Sequence, residues 1–233
     1  MAAASFNPAE PIAKWLNVPA KSDRDMELLE DFVFTDPKGT PWVAPKGSKI
    51  NGASIPSSLW STVGSPYTGA YRRASIVHDV ACVNSINDAE RAKADLMFYD
   101  ACIAGGCSKF QANTLYMGVR VGAWWSPPSS TREFGVRDLS VVKSRGPESD
   151  QSLKVFTTVQ KKLGDRMATA SRAEIDELVS ATVAKVQKQE SAARGLKLST
   201  KKAATKKAAT KKTATAKKAA PQKVAKKKVA APN

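Results

Sequence analysis

Apolar positions change their period along this chain, and the changes mark out its elements. Asp31-Phe-Val-Phe-Thr-Asp-Pro-Lys-Gly-Thr-Pro-Trp-Val-Ala44 holds two short apolar runs around the turn residues Asp36-Pro-Lys-Gly39, which predicts a β-hairpin. Its strands need a packing partner, because an isolated hairpin is marginal in water. Asn51-Gly-Ala-Ser-Ile-Pro56 and Gly64-Ser-Pro66 then read as loop. Three segments with helical spacing follow. The first is predicted from about Thr68 to Asn84. The second starts near Asp88, where Asn87 and Glu90 have the spacing of an N-terminal cap, and Gly105-Gly106 stops it. The third opens with the capping box Ser108-Lys-Phe-Gln111 and runs to Trp124-Trp125. Ser171-Arg-Ala-Glu174 is a second capping box. It precedes Ile175, Leu178, Val179, Val183 and Val186, a one-face stripe interrupted by Thr182. That stripe predicts a helix packed on the domain or on a second copy of the chain.

These elements predict an α+β fold: a hairpin plus a three-helix unit over 31–125, behind an N-terminal extension over 1–30. A linker over 126–150, rich in Pro, Gly and Ser, leads to an amphipathic helical segment over 151–194 and a basic tail over 195–233. Charge sharpens the last boundary. From Gly195 onward there are thirteen lysines and no acidic residue, so about +13 of the formal +16 lies there and roughly +3 remains for everything before it. The repeats Lys201-Lys-Ala-Ala-Thr205 and Lys206-Lys-Ala-Ala-Thr210 have no apolar face to bury, and disorder is expected.

Lys201, Lys202, Lys206, Lys207, Lys211, Lys212, Lys217, Lys218, Lys226, Lys227 and Lys228 suit sequence-independent contact with polyanions, either nucleic acid or an anionic membrane surface. No apolar run approaches the roughly 20 residues that span a bilayer, and the first residues lack the pattern of a secretory signal. A cytoplasmic setting is the default, with a virion or a target cell as the other expected settings. Cys82, Cys102 and Cys107 are odd in number and lack CxxC spacing, which argues against a disulfide framework or a zinc knuckle.

The chemistry-bearing position is the one histidine, His78, in Ser75-Ile-Val-His-Asp-Val-Ala-Cys-Val-Asn84. Short connections make neighbouring helices antiparallel, so the first helix returns along the second and brings His78 within reach of Asp95. Two such residues among apolar neighbours satisfy one another, as a core pair or as a base and its orienter. Asp79 points about a quarter-turn away, toward a loop or an ion. Asn51, Gly52 and Ser54 are placed to contribute backbone groups there. A single histidine excludes zinc hydrolases with two or more histidine ligands. Trp60 and Trp124-Trp125 read as packing residues or as a lipid-contact surface.

Two resemblances rest on these residues. The hairpin, Asn51-Gly-Ala-Ser-Ile-Pro56, Gly64-Ser-Pro66, His78-Asp79 and Arg91 with Ala94-Asp95 together resemble a family of small phage and prophage proteins of unknown function. That family usually has Asp where this chain has Asn51. More distantly, His78-Asp79, Asn84, Asp95 with Phe98-Tyr99, and Tyr116 to Gly122 resemble the three helices of secreted bacterial and fungal phospholipases of the A2 type. That resemblance implies His78 as general base on an ester, Asp95 as its orienter, and calcium held by Asp79 and loop carbonyls. The cysteine pairs of those enzymes are absent here, and Val80-Ala81-Cys82 replaces their aromatic-bearing run.

The leading expectation is therefore a phage-derived hydrolase of phospholipase A2-like type. The competing one is a non-enzymatic phage accessory or virion-associated protein whose tail binds nucleic acid. A homo-oligomer through 171–190 is a further expectation.

Overall fold

The computed structural model of the chain describes residues 3–16, 25–52, 55, 59–64, 68–125 and 148–193, without the side chains of Trp60, Trp125, Glu148 and Ser149. The chain divides into two units, 1–186 and 187–233. In the first, six short strands among the described residues form two antiparallel three-stranded sheets: β1 (Ser5–Asn7), β4 (Phe32–Thr35) and β5 (Pro41–Ala44) in the order β1-β4-β5, and β2 (Ala13–Trp15), β3 (Met26–Leu28) and β6 (Lys49–Ile50) in the order β2-β3-β6. The predicted hairpin is β4–β5. Asp36 builds its turn: one carboxylate oxygen accepts from the amides of Lys38 and Thr40, each at 2.9 Å, and the other from Trp42 Nε1 at 3.3 Å. Gly39, at φ +85°, takes the left-handed position that disfavours a side chain. Phe32 and Phe34 face inward and alternate with half-buried Val33 and Thr35, the period of a strand with one face on a core.

Residues 1–30, set apart by the sequence as an extension, contribute β1, β2 and β3. Three-residue strands are too short to show an alternating pattern. What places β1 is tertiary: Phe6 pairs in register with Phe34 and stacks on Phe32 with ring centroids 5.6 Å apart.

The helices are α1 (Trp60–Val63), α2 (Arg72–Asn84), α3 (Asp88–Ala104), α4 (Lys109–Trp125) and α5 (Glu148–Leu163), followed by a 3₁₀ turn at Gly164–Ala168 and α6 from residue 172. α2 begins four residues later than predicted, because Gly69 at φ +70° puts a left-handed residue where the helix was expected. The caps fall where the sequence places them. Asn87 accepts from Glu90 N at 2.9 Å, Ser108 Oγ from Gln111 N at 3.2 Å and Ser171 Oγ from Glu174 N at 3.1 Å. α2 lies between the strands and α3, and is buried nearly all round: Ala74 through Val80 are covered without a break.

The core does not stop at Trp125. Val155, Phe156, Val159, Leu163, Met167, Ile175, Val179, Val183 and Val186 join the same apolar cluster as Phe32, Phe98 and Tyr116. Asn113 fixes the turn before α6, donating from Nδ2 to the carbonyls of Met167 and Ala170 at 2.7 and 3.1 Å. The α6 stripe is covered by the chain's own core, so it offers no apolar face for the oligomer expected through 171–190. In the second unit, residues 187–193 are helical. Residues 126–147 of the linker and all of the basic tail, with its expected disorder, lie outside the described residues. Among the described residues no helix is long and apolar enough to cross a membrane.

Candidate functional site: a buried carboxylate network

α2 and α3 run side by side and bring His78 and Asp95 together: His78 Nε2 and Asp95 Oδ1 are 2.8 Å apart, and both side chains are fully buried. Asp95 has two further charged contacts. Arg91, one turn earlier on α3, donates from Nε to Oδ1 at 3.2 Å. Arg120 of α4 donates to Oδ2 at 2.9 Å, and its Nε reaches Asp176 of α6 at 2.8 Å. The Tyr116 hydroxyl donates to the other Asp176 oxygen at 2.9 Å. The network therefore runs from α2 to α6 through one carboxylate. Cys82 Sγ, a turn after His78, sits 3.2 Å from Nε2 and 3.7 Å from Nδ1, and Phe98 packs on the ring with centroids 4.6 Å apart.

Burial alone would raise the Asp95 pKa. The His78 hydrogen bond and the Arg91 and Arg120 charges outweigh it and hold the carboxyl below its ordinary value. For His78, burial dominates and depresses the imidazole pKa despite the neighbouring carboxylate. The pair is a neutral ring donating Nε2–H to an ionised Asp95, a tautomer assigned from its partner.

Asp79 has a different task. β6 leads directly into Asn51 and Gly52, whose amides donate to Asp79 Oδ2 at 2.6 and 3.1 Å. Gly52, at φ +102°, turns the backbone so that both amides meet one oxygen. Burial raises the Asp79 pKa to about 7, the two amides and Arg91 offset only part of this, and Asp25 adds to the rise.

The calcium expectation does not fit these atoms. A cation needs several oxygen donors, and among the described residues the loop presents the Asn51 and Gly52 N–H groups to a carboxyl that burial favours in its protonated form. The cluster of His78, Cys82 and Asp95, whose ligand atoms lie within 4.8 Å of one another, does not suit a metal either. Two guanidinium groups already neutralise its carboxylate.

Of the sequence-predicted positions, the structure joins His78 to Asp95 and joins Asn51 and Gly52 to Asp79. Ser54 and the tail lysines lie outside the described residues. Trp124 is 43% exposed. A cavity of about 240 Å³ opens between β5 and α2, lined by Trp42, Val43, Val77, Ala81, Asn84 and Lys93, and it does not include His78. Arg91, Arg120 and Asp176 join the site although they are not among the sequence-predicted catalytic residues. Arg91 carried a signal, being spaced i, i+4 with Asp95. Arg120 and Asp176 carried none, since their partners are distant in sequence.

Residues 26–119 match the family described as "Protein of unknown function (DUF1353)". Two curated proteins of Sinorhizobium fredii (strain NBRC 101917 / NGR234) are similar over this region. "Uncharacterized protein y4jT" is 39% identical over 93 residues, which is 40% of this chain and 27% of the relative. "Uncharacterized protein y4iH" is 36% identical over 98 residues, 42% of this chain and 40% of the relative. The match thus spans less than half the length of either relative. No solved structure matches. The stretch that carries His78, Asp79, Arg91 and Asp95 is where this chain is similar to the DUF1353 family.

Proposed function

We propose that the chain is a non-enzymatic, phage-type accessory protein that binds nucleic acid without sequence preference through its lysine-rich segment. The observation that carries this reading is the split of charge: thirteen lysines and no acid from Gly195 onward, beside a near-neutral remainder. Lysines without interleaved aromatics neutralise phosphates and release counterions, so affinity should fall steeply with salt, by a log–log slope of about −0.9 per phosphate contacted on duplex DNA. The buried network supports the same reading from the other side. His78 is fully enclosed and Asp79 is engaged by loop amides, so both are accounted for as fold-specifying groups. A cytoplasmic or virion setting follows from this reading.

The test compares the full chain with one ending at Arg194 for binding to random-sequence duplex DNA across a salt series. Truncation should cost at least tenfold in affinity at low salt and flatten the salt slope. Unchanged binding after truncation would remove the tail's role, and stronger binding to anionic vesicles than to DNA at matched salt would transfer it to lipid.

A second reading, the phospholipase A2-like hydrolase, is favoured by the 2.8 Å His78–Asp95 contact, which leaves Nδ1 as the ring's basic nitrogen. Here His78 would take a proton from the water that attacks an ester. Turnover needs water and substrate to reach a ring with no exposed surface, and this places the reading second. Fatty-acid release from anionic liposomes, abolished by His78→Ala in a protein that stays folded, would reverse the order.

A further inference from the structure

The end of α3 brings two thiols together by backbone geometry. The amide of Gly106 donates to Ile103 O and that of Cys107 to Cys102 O, both at 3.0 Å, with Gly106 at φ +101°. This is the Schellman termination, in which the side chain three positions inside the helix end meets the one just beyond the glycine, normally as an apolar pair. In this chain both positions are cysteine. The main-chain hydrogen bond draws the two backbones together, and the two thiols are hydrogen-bonded to each other, so the sulfurs already meet. The turn is tightly seated, since a Cβ on Gly105 would collide with the Ala70 carbonyl oxygen.

We propose that Cys102 and Cys107 form a redox-active dithiol that closes to an intramolecular disulfide by exchange with a low-molecular-weight disulfide such as oxidised glutathione. The two sulfurs are not equivalent. Cys102 is fully buried, whereas Cys107 retains 7% exposure and stands directly before the Ser108 cap of α4, where unpaired helix amides favour negative charge. The hydrogen bond from the Cys102 thiol lowers the Cys107 pKa, and burial raises that of Cys102 well above the ordinary thiol value. Cys107 is therefore the attacking thiolate and Cys102 the resolving thiol.

In the first step the Cys107 thiolate bonds to one sulfur of the small disulfide and expels the other half as a thiolate. In the second, Cys102 loses its proton to that thiolate, bonds to the Cys107 sulfur and expels the second half. The protein dithiol loses two electrons and two protons, and the small disulfide becomes two thiols. Cys82 lies against His78 instead and takes no part.

The full reduced chain is incubated with oxidised glutathione, denatured, alkylated with a maleimide and digested with trypsin. Cys102 and Cys107 fall on one peptide, 94–109, and Cys82 on another, 74–91. The expected result is loss of two of the three alkylatable thiols: peptide 94–109 lighter by two hydrogens, and peptide 74–91 alkylated as before. Cys102→Ser should stall with glutathione on Cys107, and Cys107→Ser should leave Cys102 unreacted. Full alkylation of 94–109 in the oxidised wild type, a persistent glutathionyl group on its Cys107, or closure through Cys82 would each overturn the assignment. The wild-type map decides the matter even where a variant does not fold.

Discussion

Asp79 and Asp95 occupy adjacent helices, and both are buried, yet their surroundings drive them in opposite directions. Asp95 meets a ring N–H and two guanidinium groups and is held ionised. Asp79 meets two backbone amides, and burial pushes its pKa up to about 7. Burial acts on both with the same sign, so the difference lies in the donors. Charged donors overcome desolvation, whereas neutral amides offset only part of it. One carboxylate is a hub that needs its charge. The other is an anchor for a loop, and its charge is a cost.

The largest effect should come from breaking the hub. Asp95→Ala leaves Arg91, Arg120 and His78 without their shared acceptor and should destabilise the fold by about 3–5 kcal/mol in denaturant unfolding, the range for breaking a buried ion pair from one side. A loss under about 1 kcal/mol would mean that the network contributes little.

Asp79→Asn should do the opposite at alkaline pH. The unfolded carboxyl gives up its proton near its ordinary value of 3.8, whereas the folded one keeps it to about 7. The native state therefore binds more protons between those values, and stability falls as pH rises through that window. Asparagine keeps an oxygen for the two amides and removes the charge, so the variant should gain on the order of 1–3 kcal/mol at pH 8 and little at pH 4. A thermal-unfolding series across pH reads this directly, and a variant weaker than wild type at pH 8 would show that Asp79 needs its charge.

Arg120→Ala should cost about 1.5–3 kcal/mol, the range for hydrogen bonds to charged groups, and should speed amide exchange in α6 more than in α2. Tyr116→Phe removes only the hydroxyl bond to Asp176. It should cost about 1 kcal/mol with unchanged exchange in α3.

The same contrast governs what the sequence made legible. α3 and α4 announce themselves through local chemistry: Asn87 and Glu90, Ser108 and Gln111, and the glycines after Ala104. The His78–Asp95 contact follows from two antiparallel helices. β1, β2 and β3 stay hidden because three residues carry no period, and their pairing depends on Phe34 and Ile50 far along the chain. Arg120 stays hidden because an arginine on a helix looks like a solvated residue until α6 arrives. The resemblance assigns Asp79 an ion, whereas the two loop amides that donate to it are encoded by no side-chain pattern.

Arg120 stands one position beyond the 26–119 stretch that matches the DUF1353 family, and it links the Asp95 of that stretch to Asp176 of α6. In this chain the central carboxylate and the core of that stretch are completed by residues outside it. A fragment trimmed to the homologous region would lose one of the two guanidinium groups on its central carboxylate and expose the surface that Ile175, Val179 and Val183 cover. A fragment meant to keep this core would have to carry the C-terminal helix through Val186, and β1 and β2 as well.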